Sequence, residues 1–165
     1  MTDRLAAAEA LLADLVGFAS ISGQPNGEIV NYIKTYLESC GVIVHLDSHE
    51  DGQRFNLFAS IGPQIDGGIL LSGHLDVVPA NPAGWSRDPF VLHKLDGRLY
   101  GRGAVDMKGF VAIVLAMVPA FQEAASQLAK PLHLAFTFDE EVGSCLLYTS
   151  PSPRDRTRSR MPSSA

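Results

Sequence analysis

The chain has 165 residues, of which 46% are hydrophobic and 19% charged, with a formal net charge of −5. That length supports one domain with its own core, and so apolar a composition excludes a disordered chain. The acidic balance disfavours a nucleic-acid partner, and two cysteines, Cys40 and Cys145, imply no disulfide framework. In chain order, Arg4 to Ala19 carries Leu5, Ala8, Leu12, Leu15 and Val16 at helical spacing, and the run Ser20 to Pro25 breaks it. A second helix is expected from Glu28 to Ser39, with Asn26 as its N-cap and Gly41 as its stop. Val42 to Leu46 and Phe55 to Ile61 read as strands. Ile69-Leu70-Leu71-Ser72 reads as a strand buried on both faces.

Pro79 to Asp88 is loop and holds the only tryptophan, Trp85. Phe90 to His93 and Arg98 to Tyr100 flank Asp96-Gly97, a hairpin turn signal. A glycine-punctuated loop, Gly101 to Gly109, runs into an apolar helix from Gly109 to Val118, which continues past Pro119 or restarts there. Leu132 to Phe138 is the last strand, and it ends in Asp139-Glu140-Glu141. Helices alternating with short strands indicate an α/β sheet flanked by helices, whose chemistry collects beyond the carboxyl ends of the strands. The apolar run Phe110 to Ala120 is too short to cross a bilayer, and no basic segment leads into an apolar one at the N-terminus. The expectation is a cytoplasmic protein with no membrane partner.

Three polar groups need a joint explanation: His74 with Asp76, Asp106 in its glycine loop, and Glu140-Glu141. One imidazole and several carboxylates suit a zinc-like divalent ion, with room for a second. Asp76, two positions on, can hold the ring's other nitrogen. Two neighbouring glutamates can divide the work, one as ligand and one as proton carrier. Each piece also has an ordinary reading. Asp106 can cap the helix that follows it, and an acidic pair is commonly a solvated turn. His133, in mid-strand, reads as structural, and His45 and His93 as exposed.

Ser72-Gly73-His74-Leu75-Asp76-Val77-Val78-Pro79, Trp85-Ser86-Arg87-Asp88-Pro89-Phe90, Gly101 to Gly109 and Asp139-Glu140-Glu141-Val142-Gly143 together resemble the M20 family of metallopeptidases and deacylases. The resemblance covers residues 1–144. It implies a zinc-peptidase-like α/β fold and a truncated catalytic domain without the family's smaller dimerisation domain. It implies metal ligation by His74, Asp106 and Glu141, with Asp106 bridging two ions, zinc or alternatively cobalt. Glu140 would be the general base, and Asp76 would orient His74. It implies a cis peptide bond between Asp106 and Met107. The implied reaction is amide hydrolysis of a small N-acyl amino acid by a protein that is a homodimer at full length. A desuccinylase and a metal-dependent carboxypeptidase are alternatives, and a non-catalytic metal-binding fragment is a second class. Family members supply a further acidic ligand soon after Glu141 and a histidine near their C-terminus, so the chain as written is expected to be inactive alone.

Residues 145–165 are a different kind of sequence, with Pro151, Pro153 and Pro162, four arginines and one acid. Cys145 to Asp155 and Ser159 to Ala165 resemble a translated transposase-type sequencing adapter. The expectation is a non-native, disordered tail, with the natural sequence reaching about Ser144.

Overall fold

A computed structural model describes residues 2–143; the segment 145–165, with its expected tail, lies outside the described residues. Among the described residues, three α-helices and six strands follow in the order α1 (Thr2–Gly17), α2 (Gly27–Ser39), β1 (Val44–Ser48), β2 (Phe55–Ile61), β3 (Ile69–His74), β4 (His93–Leu95), β5 (Arg98–Tyr100), α3 (Gly109–Glu123) and β6 (Leu132–Thr137). Four strands form one mixed sheet in the order β1-β2-β6-β3. β1 and β6 run antiparallel to β2, and β3 runs parallel to β6. β4 and β5 form a separate hairpin whose tip, Asp96-Gly97, has positive φ at both residues, as a tight two-residue turn between twisted strands requires.

The alternation along β2 explains the layering: Leu57, Ala59 and Ile61 are buried and Phe58 is exposed. The buried face meets Leu15 and Val16 of α1, Ile29, Ile33 and Leu37 of α2, and Val111, Leu115 and Val118 of α3 in one core with Leu134 and Phe136 of β6. With the irregular turn before it, α3 belongs to a 20-residue stretch, Ala104–Glu123, that is long and apolar enough to cross a membrane by length and composition. Here that apolar character fills the core between α1 and the sheet.

Four local expectations change. Ile69 and Leu70 are 66% and 52% exposed, because β3 is the edge of the sheet and pairs only with β6 among the described residues. Val42 does not open a strand. Gly41, at φ 78°, ends α2 in a left-handed turn, and the Val42 amide reaches back to the Leu37 carbonyl, so β1 starts two residues later. Asn26 makes no side-chain cap. Its amide instead pairs with the Phe55 backbone in both directions, at 2.9 and 2.8 Å, and ties the start of α2 to β2. Finally, the first hairpin strand is His93–Leu95 rather than Phe90 to His93. α3 passes Pro119 without a break, the first of the two readings that the sequence allowed.

Candidate metal centre

Parallel pairing of β3 with β6 sets His74 opposite Thr137. The last residue of one strand therefore lies beside the turn that leaves the other, and Glu140-Glu141 follow immediately. Gly73 lets α3 approach this corner: a Cβ there would lie 3.2 Å from the Met107 side chain and 3.3 Å from that of Phe110. The third participant comes from the loop before α3. Its Gly103 has φ 75° and packs so tightly that a Cβ would meet Val77 at 2.5 Å. Asp106 has extended backbone angles, φ −121° and ψ 97°, and its side chain faces His74 rather than capping α3. The Asp106–Met107 peptide bond is cis.

These elements bring ligand atoms of His74, Asp106 and Glu141 within 4.8 Å of one another. His74 Nε2 lies 3.0 Å from Asp106 Oδ1 and 3.8 Å from Glu140 Oε2. The ring is buried, whereas Asp106 and Glu140 stand open to solvent. His74 Nδ1 donates to the Asp76 main-chain carbonyl at 2.9 Å, while the Asp76 carboxylate, the orienting group expected from spacing, is 3.5 Å away. The Asp76 carboxylate has closer business elsewhere. It accepts the Ser22 hydroxyl at 2.6 Å and the backbone amides of Glu140 and Glu141 at 3.2 Å each.

The electrostatics match this geometry. The Asp76 and Asp106 carboxylates beside the imidazole raise the His74 pKa to about 9 against the cost of burial. The neighbouring His74 ring, with hydrogen bonds from Ser22 and the two glutamate amides, holds Asp76 below the usual carboxylate range despite its burial. Glu141 is pushed upward by burial and then by the negative charges of Asp106, Asp76 and Glu140, with His74 opposing. A carboxylate whose pKa is raised by neighbouring negative charges, as that of Glu141 is, belongs to a site that a cation relieves. The donor set fits a divalent ion: one imidazole nitrogen and two carboxylates converge, and Nδ1 is already engaged, which leaves Nε2 as the free ligand.

Lys108 is fully buried, and its Nζ donates to the Phe18 carbonyl at 2.7 Å. Burial lowers its pKa to about 8. His133 is structural, held by Ser60 Oγ at 2.7 Å and the Gly67 carbonyl at 3.1 Å. His93 is half-buried rather than exposed. Sequence reasoning gave no role to Ser22, which reaches Asp76, or to Arg54 and Asp139, which form an ion pair beneath the site.

The family described as peptidase family M20/M25/M40 matches residues 70–153, a range that extends past Ser144. The chain is similar to the acetylornithine deacetylase of Yersinia pseudotuberculosis, 42% identical over 124 residues that make up 72% of this chain and 31% of that protein. Human carnosine dipeptidase 1 has a similar structure, with a TM-score of 0.70 and 31% identity over 83% of this chain and 32% of its own. An M20 family metallo-carboxypeptidase from Sulfolobus solfataricus gives 0.72 and 29%, with the same coverage. The chain thus spans about a third of the length of these relatives.

Proposed function

The chain belongs to peptidase family M20/M25/M40, and from that premise we propose that residues 1–144 are the N-terminal part of the catalytic domain of a cytoplasmic acetylornithine deacetylase. Its reaction is hydrolysis of N-acetylornithine to ornithine and acetate, a step of arginine biosynthesis, by a protein that is a homodimer at full length. The observation that carries this reading is the convergence of His74 Nε2 with the Asp106 and Glu141 carboxylates at the carboxyl ends of β3 and β6. The greater identity to the deacetylase than to the two peptidases favours this substrate.

His74, Asp106 and Glu141 would hold divalent metal. When bound, such ions polarise an amide carbonyl and acidify water. Glu140 is exposed beside the ring and free to move a proton: it takes one from the attacking water and delivers it to the departing amine. With a cation bound, His74 would present a deprotonated Nε2, because Nδ1–H is committed to the Asp76 carbonyl. The Asp76 carboxylate fixes the two glutamates through their amides, so ligand and base keep one spacing.

The test is acetate release from N-acetylornithine by the product of the uninterrupted gene, beside N-succinyl-diaminopimelate and dipeptide substrates. Preferred turnover of a dipeptide would instead favour the peptidase reading, which the two solved structures support. Glu140→Gln is expected to lose roughly 10²–10⁴-fold in kcat. Normal turnover in that variant would remove the base assignment.

A further inference from the structure

We propose that Arg54 and Asp139 are positioning residues that lock the turn carrying Glu140 and Glu141. The inference rests on the metal-centre reading above and adds to it a support 85 residues away in sequence. Asp139 is 2% exposed and adopts φ 59°, a left-handed conformation uncommon for a residue with a side chain. That backbone reversal turns the chain out of β6 and places the next two residues at the His74 corner. Two partners hold it. The Gly23 amide donates to Asp139 Oδ1 at 2.7 Å, and Arg54 Nη1 donates to Asp139 Oδ2.

Arg54 is itself fixed on several sides. Its Nε donates to Asp51 Oδ2 at 2.7 Å, its Nη2 lies 3.0 Å from His49 Nδ1, and its guanidinium lies over the Phe138 ring at 5.4 Å. Phe138 is the residue before Asp139 and is buried. One guanidinium therefore grips two consecutive residues at the base of the turn, one through its ring and one through its carboxylate. The top of the turn is gripped separately by Asp76 through the Glu140 and Glu141 amides. Gly23 and Ser22, adjacent in sequence, serve the two grips respectively. Groups that orient ligands without touching the metal are commonly worth 10–100-fold in metal affinity.

The experiment compares the 165-residue chain with Arg54→Met, Arg54→Lys, Asp139→Asn and Glu141→Gln. It measures Co²⁺ affinity by visible absorption, and hydrogen exchange of residues 138–143 without metal. Arg54→Met and Asp139→Asn are expected to speed exchange at the Glu140 and Glu141 amides and to weaken Co²⁺ binding by roughly 10- to 100-fold. Arg54→Lys, which keeps the charge, should recover most of both effects. Asp139→Asn keeps a side chain that tolerates positive φ, so it carries the test if Arg54→Met does not fold. Unchanged exchange at those amides in Asp139→Asn and Arg54→Met overturns the inference. Glu141→Gln separates the two ideas: if it binds Co²⁺ as well as the parent, the metal reading fails, whereas altered exchange in the Arg54 variants still supports the lock.

Discussion

The Tyr36 hydroxyl donates to the Leu115 main-chain carbonyl at 3.1 Å. Leu115 lies four residues before Pro119, so its carbonyl is the one that proline cannot pair within the helix. A side chain from α2 supplies the missing donor, and α3 runs on unbroken. Tyr36→Phe should therefore cost roughly 1–3 kcal/mol, because it strands a buried acceptor. In a Pro119→Ala background the residue-119 amide becomes available and the cost should shrink. Urea unfolding of the four proteins of that cycle checks this, and equal costs in both backgrounds would refute it.

Divalent metal should stabilise the fold. At about 100 times its Kd, a ligand that binds only the folded chain adds about 2.7 kcal/mol. Zinc should raise the melting temperature, chelator should reverse the rise, and His74→Ala should abolish it. Calorimetry with each protein reads all three.

Without metal, stability should fall as the pH rises from about 6.5. The folded His74 pKa is raised to about 9, so the contribution of its protonated form is complete below 6.5 and is lost as pH rises through about 9. Lys108 has the opposite sign: its pKa is lowered to about 8, so the cost of burying its charge is relieved between about 8 and 10.5. The His74 effect therefore stands clear of Lys108 between pH 6.5 and 8. Urea midpoints across that range should decline in the parent and stay flatter in His74→Gln.

Gly103→Ala should destabilise the chain by about 1–3 kcal/mol, since the residue is left-handed and its Cβ would collide with Val77. The same change should weaken metal binding, because Gly103 opens the turn that aims Asp106. Gly97→Ala, also at positive φ but at the open hairpin tip, should cost less and leave metal binding alone. Metal titration of the two variants separates the effects.

The sequence was most readable where local pattern decides the outcome. The helical stripes of α1 and α2, the Asp96-Gly97 turn, the strand end at His74 and the acidic turn just past β6 all follow from spacing and turn chemistry. What stayed hidden depends on partners far along the chain. Hydropathy could not show that β3 is an edge, since Ile69 and Leu70 look like core residues until the strand order is known. Nothing near Pro119 announces Tyr36, and nothing near Asp139 announces Arg54. The Asn26 side chain had two uses, a helix cap or a bridge to Phe55, and tertiary structure chose the second. The three residues that converge, His74, Asp106 and Glu141, were legible because each sits at or just past an element end, whereas the side chains that brace this corner lie elsewhere along the chain.

Asp76 holds the two halves of the site by chemically different handles: its carbonyl secures the His74 ring, and its carboxylate secures the glutamate turn. A side-chain substitution removes the second, together with the carboxylate charge that helps raise the His74 pKa. Replacing Asp76 with alanine leaves a carbonyl at the same place in the chain, so the imidazole keeps its tautomer while Glu140 and Glu141 are let go. A scan across this corner would therefore score position 76 as a defect of the acidic turn.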